Sequence, residues 1–176
     1  MKRGTLALTL AGLAILVAGL GLVRPARAQK SPAKHPRSPR SLDEARRTVR
    51  MMNDIYISGV LITHKMYASE AGSAAAVTWG KEVIRDINGK GWPIARIFGV
   101  GDRMLNPGNQ PIDAFEREAG AALTRGKAEF ERAGPAEYRL AVPIRVTEQS
   151  CLNCHARNKM GDLLGGVSYR ALIRKP

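Results

Sequence analysis

The chain has 176 residues, a formal net charge of +13 and 44% hydrophobic residues. Its length allows one domain with a single sizeable core. Beyond residue 41 the Lys and Arg residues are scattered evenly among acidic ones, whereas a nucleic-acid-binding protein concentrates them on one patch. We therefore expect no nucleic-acid partner.

Residues 1–28 have the layout of a secretory signal peptide. A basic start is followed by an uncharged run over residues 4–23 and by Ala26-Arg27-Ala28, which offers small residues where a signal peptidase reads. We predict cleavage after Ala28 and a periplasmic mature protein. The alternative is an uncleaved membrane anchor, because a run of this length can span a bilayer. Removing the four basic residues of this segment lowers the net charge from +13 to +9.

Residues 29–40 contain three prolines and almost no apolar residue, which predicts a disordered basic tether. An ordered domain is expected over residues 41–176. Ser41 and Glu44 form a capping box, and apolar residues at helical spacing then predict a helix to about Ala68. The segment from Ile55 to Ile62 is apolar nearly all round, so this half of the helix is expected to be buried.

The rest of the domain is predicted to contain two more helices and four strands. A second helix follows Gly72-Ser73 and stops at Asn88-Gly89, and a third runs from Pro111 to about Arg125 and is closed by Gly126. The predicted strands are residues 94–100, 127–132, 137–146 and 165–173. The order α-α-β-α-β-β-β predicts an α+β domain with helices packed against an antiparallel sheet.

Residues 151–155 read CLNCH and contain the only two cysteines of the chain. In a C-x-x-C-H motif the two thiols form thioethers with haem, and the histidine is an axial iron ligand. We predict one covalent haem c, attached through Cys151 and Cys154, with His155 as proximal ligand. The predicted export supports this reading, because c-type haem is attached outside the cytoplasmic membrane.

Three other kinds of site also use closely spaced cysteines. A disulfide is possible in an oxidising compartment, but it leaves His155 without a role. A zinc site would need a fourth ligand, usually from another cysteine pair. A thioredoxin-like dithiol is expected after a strand within a βαβ pattern, whereas this motif lies on a loop between strands.

Short stretches spread over most of the mature chain carry a family resemblance. They are Lys90-Gly91-Trp92, Ala95-Arg96, Asn106-Pro107, Phe115-Glu116, Gly126-Lys127, Tyr138-Arg139, Ala141, Pro143-Ile144, Gly161-Asp162, Gly165 and Ser168. In this order the chain resembles single-haem c-type proteins with a PAS-like fold, which are periplasmic domains that occur alone or as sensor modules. The resemblance implies a PAS-like sheet with N-terminal helices packed against it. It also suggests a distal cysteine thiolate, from which this sequence departs because it has no third cysteine.

Few residues can bind the other face of the iron. His64 is our candidate distal ligand, with Met52 or Met66 as alternatives and an open site as a further one; methionine would raise the reduction potential relative to histidine. Tyr56 is expected to wall the pocket, although aromatic residues at helical spacing are more often core. Arg139 and Arg145 are expected to pair with the haem propionates or to be solvated strand charges.

These expectations leave two functions open. The first is a redox- or small-ligand-sensing module, and the second is a small electron-transfer cytochrome. A haem enzyme such as a peroxidase would need an acid–base pair beside the iron, and no carboxylate neighbour is evident for His64, so we do not expect an enzyme. Expected partners are a redox or signalling protein, acidic or membrane-associated, and the haem-attachment machinery during maturation.

Covalent attachment gives the first testable prediction. Because thioethers resist extraction, we expect the haem to remain with the polypeptide after acid–acetone treatment. Absorbance of the extracted protein measures this directly. Release of the haem into the acetone phase would contradict attachment through Cys151 and Cys154.

Overall fold

The computed structural model describes residues 38–67, 74–101, 104 and 106–174. The predicted signal peptide, residues 1–28, and most of the tether, residues 29–40, lie outside these described residues and stay predictions. Among the helices that are described, none combines the length and the apolar character needed to cross a membrane.

The described residues form three helices and four strands in the predicted order. They are α1 (Leu42–Tyr67), α2 (Ala74–Gly89), β1 (Ile94–Gly99), α3 (Ala114–Thr124), β2 (Phe130–Ala133), β3 (Glu137–Arg145) and β4 (Leu163–Leu172). Two short 3-10 turns, Pro107–Asn109 and Gln149–Asn153, interrupt the loops. The predicted α+β class is confirmed.

Helix starts follow local capping chemistry. The Ser41 hydroxyl accepts a hydrogen bond from the Glu44 N–H at 3.1 Å, while the Glu44 carboxylate accepts the N–H of Arg40 at 2.7 Å. Helix α3 begins later than predicted, because Asp113 rather than the region of Pro111 provides its cap. The Asp113 carboxylate accepts the N–H of Glu116 at 2.9 Å, which satisfies one of the free donors of the first turn.

The four strands form one antiparallel sheet in the order β1-β4-β3-β2. Alternate residues face opposite sides, and both sides are covered. Leu140, Val167 and Tyr169 belong to a core cluster with Ala45 and Val49 of α1. On the other side, Phe98 and Ala141 pack with Phe115 and Ala119 of α3. The sheet therefore lies between α1 and α3, and β4 is buried on both faces.

A buried carboxylate connects α3 to the sheet. Glu116 is 1% exposed, and its Oε2 lies 2.5 Å from the Arg96 guanidinium. Its Oε1 accepts the Ser168 hydroxyl at 2.5 Å, and the N–H of Ile112 donates to Oε2 at 3.0 Å. Arg96 also donates to backbone carbonyls of the 108–110 segment. The network fastens the loop before α3 to β1 and β4.

The expected all-round burial of the second half of α1 is wrong. Ile55 is 64% exposed and Ile62 is 56% exposed. The sheet and α2 cover one side of α1 only, so the apolar residues on the other side remain in solvent. An apolar pattern without a polar face does not distinguish a buried helix from one with an exposed apolar stripe.

The Glu116 network predicts a large stability difference between two glutamates of α3. Glu116→Ala leaves the Arg96 guanidinium and the Ser168 hydroxyl without their acceptor, so unfolding should become about 3 kcal/mol easier. The matched control is Glu118→Ala, because Glu118 pairs with Arg132 at the surface, where an ion pair contributes less than about 1 kcal/mol. Urea unfolding followed by circular dichroism measures both changes. Equal losses in the two variants would contradict the assigned role of Glu116.

Candidate functional site

A pocket of about 930 Å³ lies between the C-terminal half of α1, α2 and one end of the sheet. Its floor is formed where Gly99 at the end of β1 pairs with Gly165 of β4. A Cβ atom at Gly165 would lie 2.6 Å from the carbonyl oxygen of Phe98, so glycine is needed for this close strand contact. The rest of the lining is mainly apolar, with side chains such as Val60 and Ile144.

The CLNCH motif contributes Cys151, Cys154 and His155 to the lining of this pocket. The motif begins in the 3-10 turn after β3, where the N–H of Cys151 donates to the carbonyl of Glu148 at 3.0 Å. The N–H of His155 then donates to the carbonyl of Cys151 at 3.1 Å. This compact turn leaves Cys151 buried and Cys154 exposed. The thiols therefore occupy an inner and an outer position beside one cavity.

His64 of α1 lines the same pocket as His155. The pKa of His155 is lowered by burial and, second, by the charge of His64. The Nδ1 atom of His64 is buried and has no hydrogen-bond partner within the described part of the chain. A buried polar atom is normally paired, so this nitrogen indicates a place for a further group.

Tyr56 lines the pocket, as expected, and its ring stacks on Trp79 of α2 with centroids 6.4 Å apart. Trp79 itself lies behind Tyr56 and against Gly59, where a Cβ atom would overlap the indole ring. Gly80 likewise approaches the Tyr56 hydroxyl, at 2.9 Å from an ideal Cβ position. Small residues on both helices thus allow α1 and α2 to approach closely behind the pocket.

The expectation that Arg139 belongs to the pocket is wrong. Arg139 lies on the other face of the sheet, where it pairs with Asp113 at 2.6 Å and stacks 4.1 Å from the Phe115 ring centroid. Arg145 lines the pocket because the β3–β4 register shifts between Ile144 and Arg145. Such an irregularity breaks the alternation of side chains along a strand.

The methionine alternatives are also misplaced. Met52 packs against the core cluster between α1 and the sheet, and Met66 is 64% exposed; neither lines the pocket. Met104, which was not among the candidates from the sequence, does line it. Its sulfur occupies space that a Cβ at Gly99 would enter, at 2.6 Å. A glycine that ends a strand was the only local signal for this contact.

The charges around the pocket have one sign. Lys81 and Arg145 line it, and no aspartate or glutamate of the described residues does. Across residues 38–174, as far as they are described, no three His, Cys, Asp or Glu side chains cluster closely enough to share a metal ion. The pocket therefore combines two histidines and two cysteines in positions that do not converge on one ion.

The comparisons with known proteins concern the family and the fold. The model of the Tll0287-like family matches residues 39–169, so the chain belongs to the Tll0287-like family. Among solved structures it is similar to the crystal structure of the cyanobacterial heme-protein Tll0287, with a TM-score of 0.53 and 13% identity over 76% of this chain and 95% of that one. At this identity the likeness shows the fold alone. No curated protein matches the chain.

The buried phenol of Tyr56 gives a prediction about alkaline stability. Burial raises the pKa of Tyr56 to about 12, so between pH ~10 and ~12 the unfolded chain ionises while the folded one does not. The stability gained from the neutral phenol is present below pH ~10 and lost as the pH rises, by about 2–3 kcal/mol in all. Tyr56→Phe has no phenol to ionise, so its free energy of unfolding should fall less than that of the unchanged protein as the pH rises. Urea unfolding at about pH 8 and about pH 11 measures the difference.

Tyr138 and Tyr169 also have raised pKa values because they are buried. The Tyr56→Phe variant should therefore still lose stability at alkaline pH, but less than the unchanged protein. Identical losses in both proteins would show that Tyr56 is not buried in its neutral form.

Proposed function

We propose that this chain is a periplasmic c-type monohaem protein in which Cys151 and Cys154 form the thioethers and His155 is the proximal ligand. The observation that carries the proposal is that all three residues line one largely apolar pocket. Its volume of about 930 Å³ lies in the range of cofactor sites, roughly 300–1,000 Å³. The similar solved structure is that of a heme-protein, which supports the same cofactor.

The position of the thiols favours haem over the other readings of the motif. Haem attachment needs two cysteines at the edge of the macrocycle and a histidine beneath its centre, rather than three ligands around one point. The spread of Cys151, Cys154 and His155 around one cavity is consistent with that requirement. A zinc site would require convergence, and a disulfide would give His155 and the cavity no role.

His64 is the proposed distal ligand. It lines the pocket from α1, while His155 lines it from the segment after the cysteine turn. The unpartnered Nδ1 of His64 would gain a partner if the ring turned that atom to a ligand or to a haem propionate. Two imidazole ligands give a low reduction potential compared with a histidine–methionine pair. Met104 is the methionine placed to compete with His64.

Lys81 and Arg145 are the proposed partners of the propionates. They are the Lys and Arg residues that line the pocket, and the described lining contains no acidic residue to repel a carboxylate. Charge-assisted bonds to Arg and Lys are about twice as strong as neutral ones. Arg145 is one of the two partners expected from the sequence, and Lys81 takes the place of Arg139.

Bound haem would supply one-electron redox chemistry, and the residues around it favour redox sensing over ligand sensing. A histidine available on the distal side competes with small molecules for the iron position, and no carboxylate of the described lining could form the acid–base pair of a peroxidase. We propose a PAS-like redox-sensing module that signals to an acidic or membrane-associated protein. The haem-attachment machinery would act on it after export, and no nucleic-acid partner is proposed.

Electron transfer is the second candidate, favoured by one observation. Cys154 is exposed, so the haem edge joined to it would lie near the surface, where electrons can be exchanged with a partner. Hydrogen exchange of α1 in the oxidised and reduced protein separates the two functions. A sensor must differ in structure or stability between its two states, whereas equal exchange in both states would favour electron transfer.

The distal ligand gives a prediction for carbon monoxide binding. The reduced protein should be six-coordinate and bind carbon monoxide slowly or not at all, because His64 must first leave. His64→Ala should bind it rapidly, and His64→Met should raise the reduction potential. Visible spectra with and without carbon monoxide, and a redox titration, measure these effects.

Met66→Ala is the matched control, because Met66 lies two residues from His64 on an exposed face of α1. It should leave the spectrum and the slow binding of carbon monoxide unchanged. If carbon monoxide binds rapidly to the unchanged protein, His64 is not the distal ligand. If His64→Ala remains six-coordinate, Met104→Ala in that background tests Met104.

A further inference from the structure

Helix α1 carries an exposed apolar stripe on the side turned away from the sheet. Met51, Ile55, Ile62 and Met66 are 55%, 64%, 56% and 64% exposed, respectively. With about 100° of rotation per residue, these four side chains and exposed Ser58 fall within an arc of roughly 80°. Large contiguous apolar patches on a soluble protein usually mark an interaction surface.

The spacing of the stripe is the same read in either direction. Met51 and Ile55 are four residues apart, Ile55 and Ile62 are seven apart, and Ile62 and Met66 are again four apart. The midpoint of the stripe falls between Ser58 and Gly59. We propose that this stripe is a homodimer interface in which α1 packs antiparallel against α1 of a second copy. A two-fold axis at the midpoint places Met51 against the partner's Met66 and Ile55 against the partner's Ile62.

The charges beside the stripe fit the same arrangement. Asp54 and Lys65 lie on one flank of it, and a two-fold axis perpendicular to both helices brings like flanks together. With the midpoint at Ser58 and Gly59, Asp54 lies within about 3 Å, along the helix axis, of the level of the partner's Lys65. Two symmetric ion pairs result.

Both charged groups are available for such pairs. Asp54 is exposed, and its Oδ1 accepts a hydrogen bond from the side-chain amide of neighbouring Asn53 at 3.4 Å. The Lys65 side chain is 65% exposed and contacts Glu148 at 3.6 Å, but an ammonium group has three donors. Lys65 can therefore keep Glu148 while it meets Asp54 of the second copy.

The symmetry of the pattern identifies the occupant. A symmetric homodimer uses the same patch on both copies, so a contact of one residue with a second residue of the partner is always matched by the reverse contact. Neither a bilayer nor a different protein imposes a spacing that is unchanged on reversal. Because one helix face buries little area, the dimer should be weak and concentration-dependent.

Sedimentation of the exported, haem-loaded chain over a range of concentrations tests the proposal. Ile62→Glu and Ile55→Glu should each raise the dissociation constant about tenfold or more, because they place charge at the centre of the interface. Ile112→Glu is the matched control, because Ile112 is 67% exposed outside α1, and it should not change the constant. Circular dichroism verifies that each variant is folded.

A charge exchange tests the antiparallel direction. Asp54→Lys and Lys65→Glu should each weaken the dimer several-fold, and the double variant D54K/K65E should restore it. Loss with Ile62→Glu but no recovery in the double variant would overturn the antiparallel arrangement. A protein that stays monomeric at every concentration would overturn the proposed homodimer interface. Binding of that monomer to anionic vesicles through α1 would not rescue the proposal. These outcomes are independent of the proposed haem ligands, which the absorption spectrum reports separately.

Discussion

The buried carboxylate of Glu116 is tolerated only because three donors surround it. A charge at 1% exposure without partners would oppose folding by several kcal/mol, so Arg96, Ser168 and the N–H of Ile112 must be in place together. These partners come from β1, from the central strand β4 and from the loop before α3. The same Arg96 holds the 108–110 segment, which includes the pocket-lining Asn109 and follows the pocket-lining Asn106 closely. One ionic network thus fixes both the order of the layers and the rim of the pocket.

The pocket lies at one end of the sheet, beside the segment that this network holds, and its chemistry differs from that of the network. Asp113 and Glu129 form ion pairs near α3 and β2, whereas the pocket lining contains cations and imidazoles. Burial favours the neutral imidazole of His155, which is the form that a metal ligand requires. A largely apolar cavity with Lys81 and Arg145 in its lining suits a cofactor that has an apolar body and anionic edges.

The sequence predicts the features that depend on neighbouring residues. It does not predict those that depend on contacts between strands far apart in the chain. Ser41 with Glu44 and the glycine after α3 are local signals, and the order of all seven elements follows from such signals and from periodicity. Arg139 and Arg145 were indistinguishable in sequence, because only the register shift between β3 and β4 separates their environments. The place of Met104 in the pocket could not be predicted, because it depends on the space that Gly99 leaves at the end of β1. The exposure of Ile55 and Ile62 depended on how α1 sits on its neighbours.

Under both proposals α1 has two functional faces. Its inner face brings His64 to the pocket, and its outer face carries Ile62 and Met66 on either side of that residue in sequence. A change of one charge at a haem iron acts strongly on a ligand in a low-dielectric cavity. Because a helix transmits a small shift or rotation along its length, such a change would alter the fit of the outer stripe against a second copy. Coupling of this kind requires the dimer to have different dissociation constants in the oxidised and reduced states, and equal constants would mean that the stripe only holds the copies together.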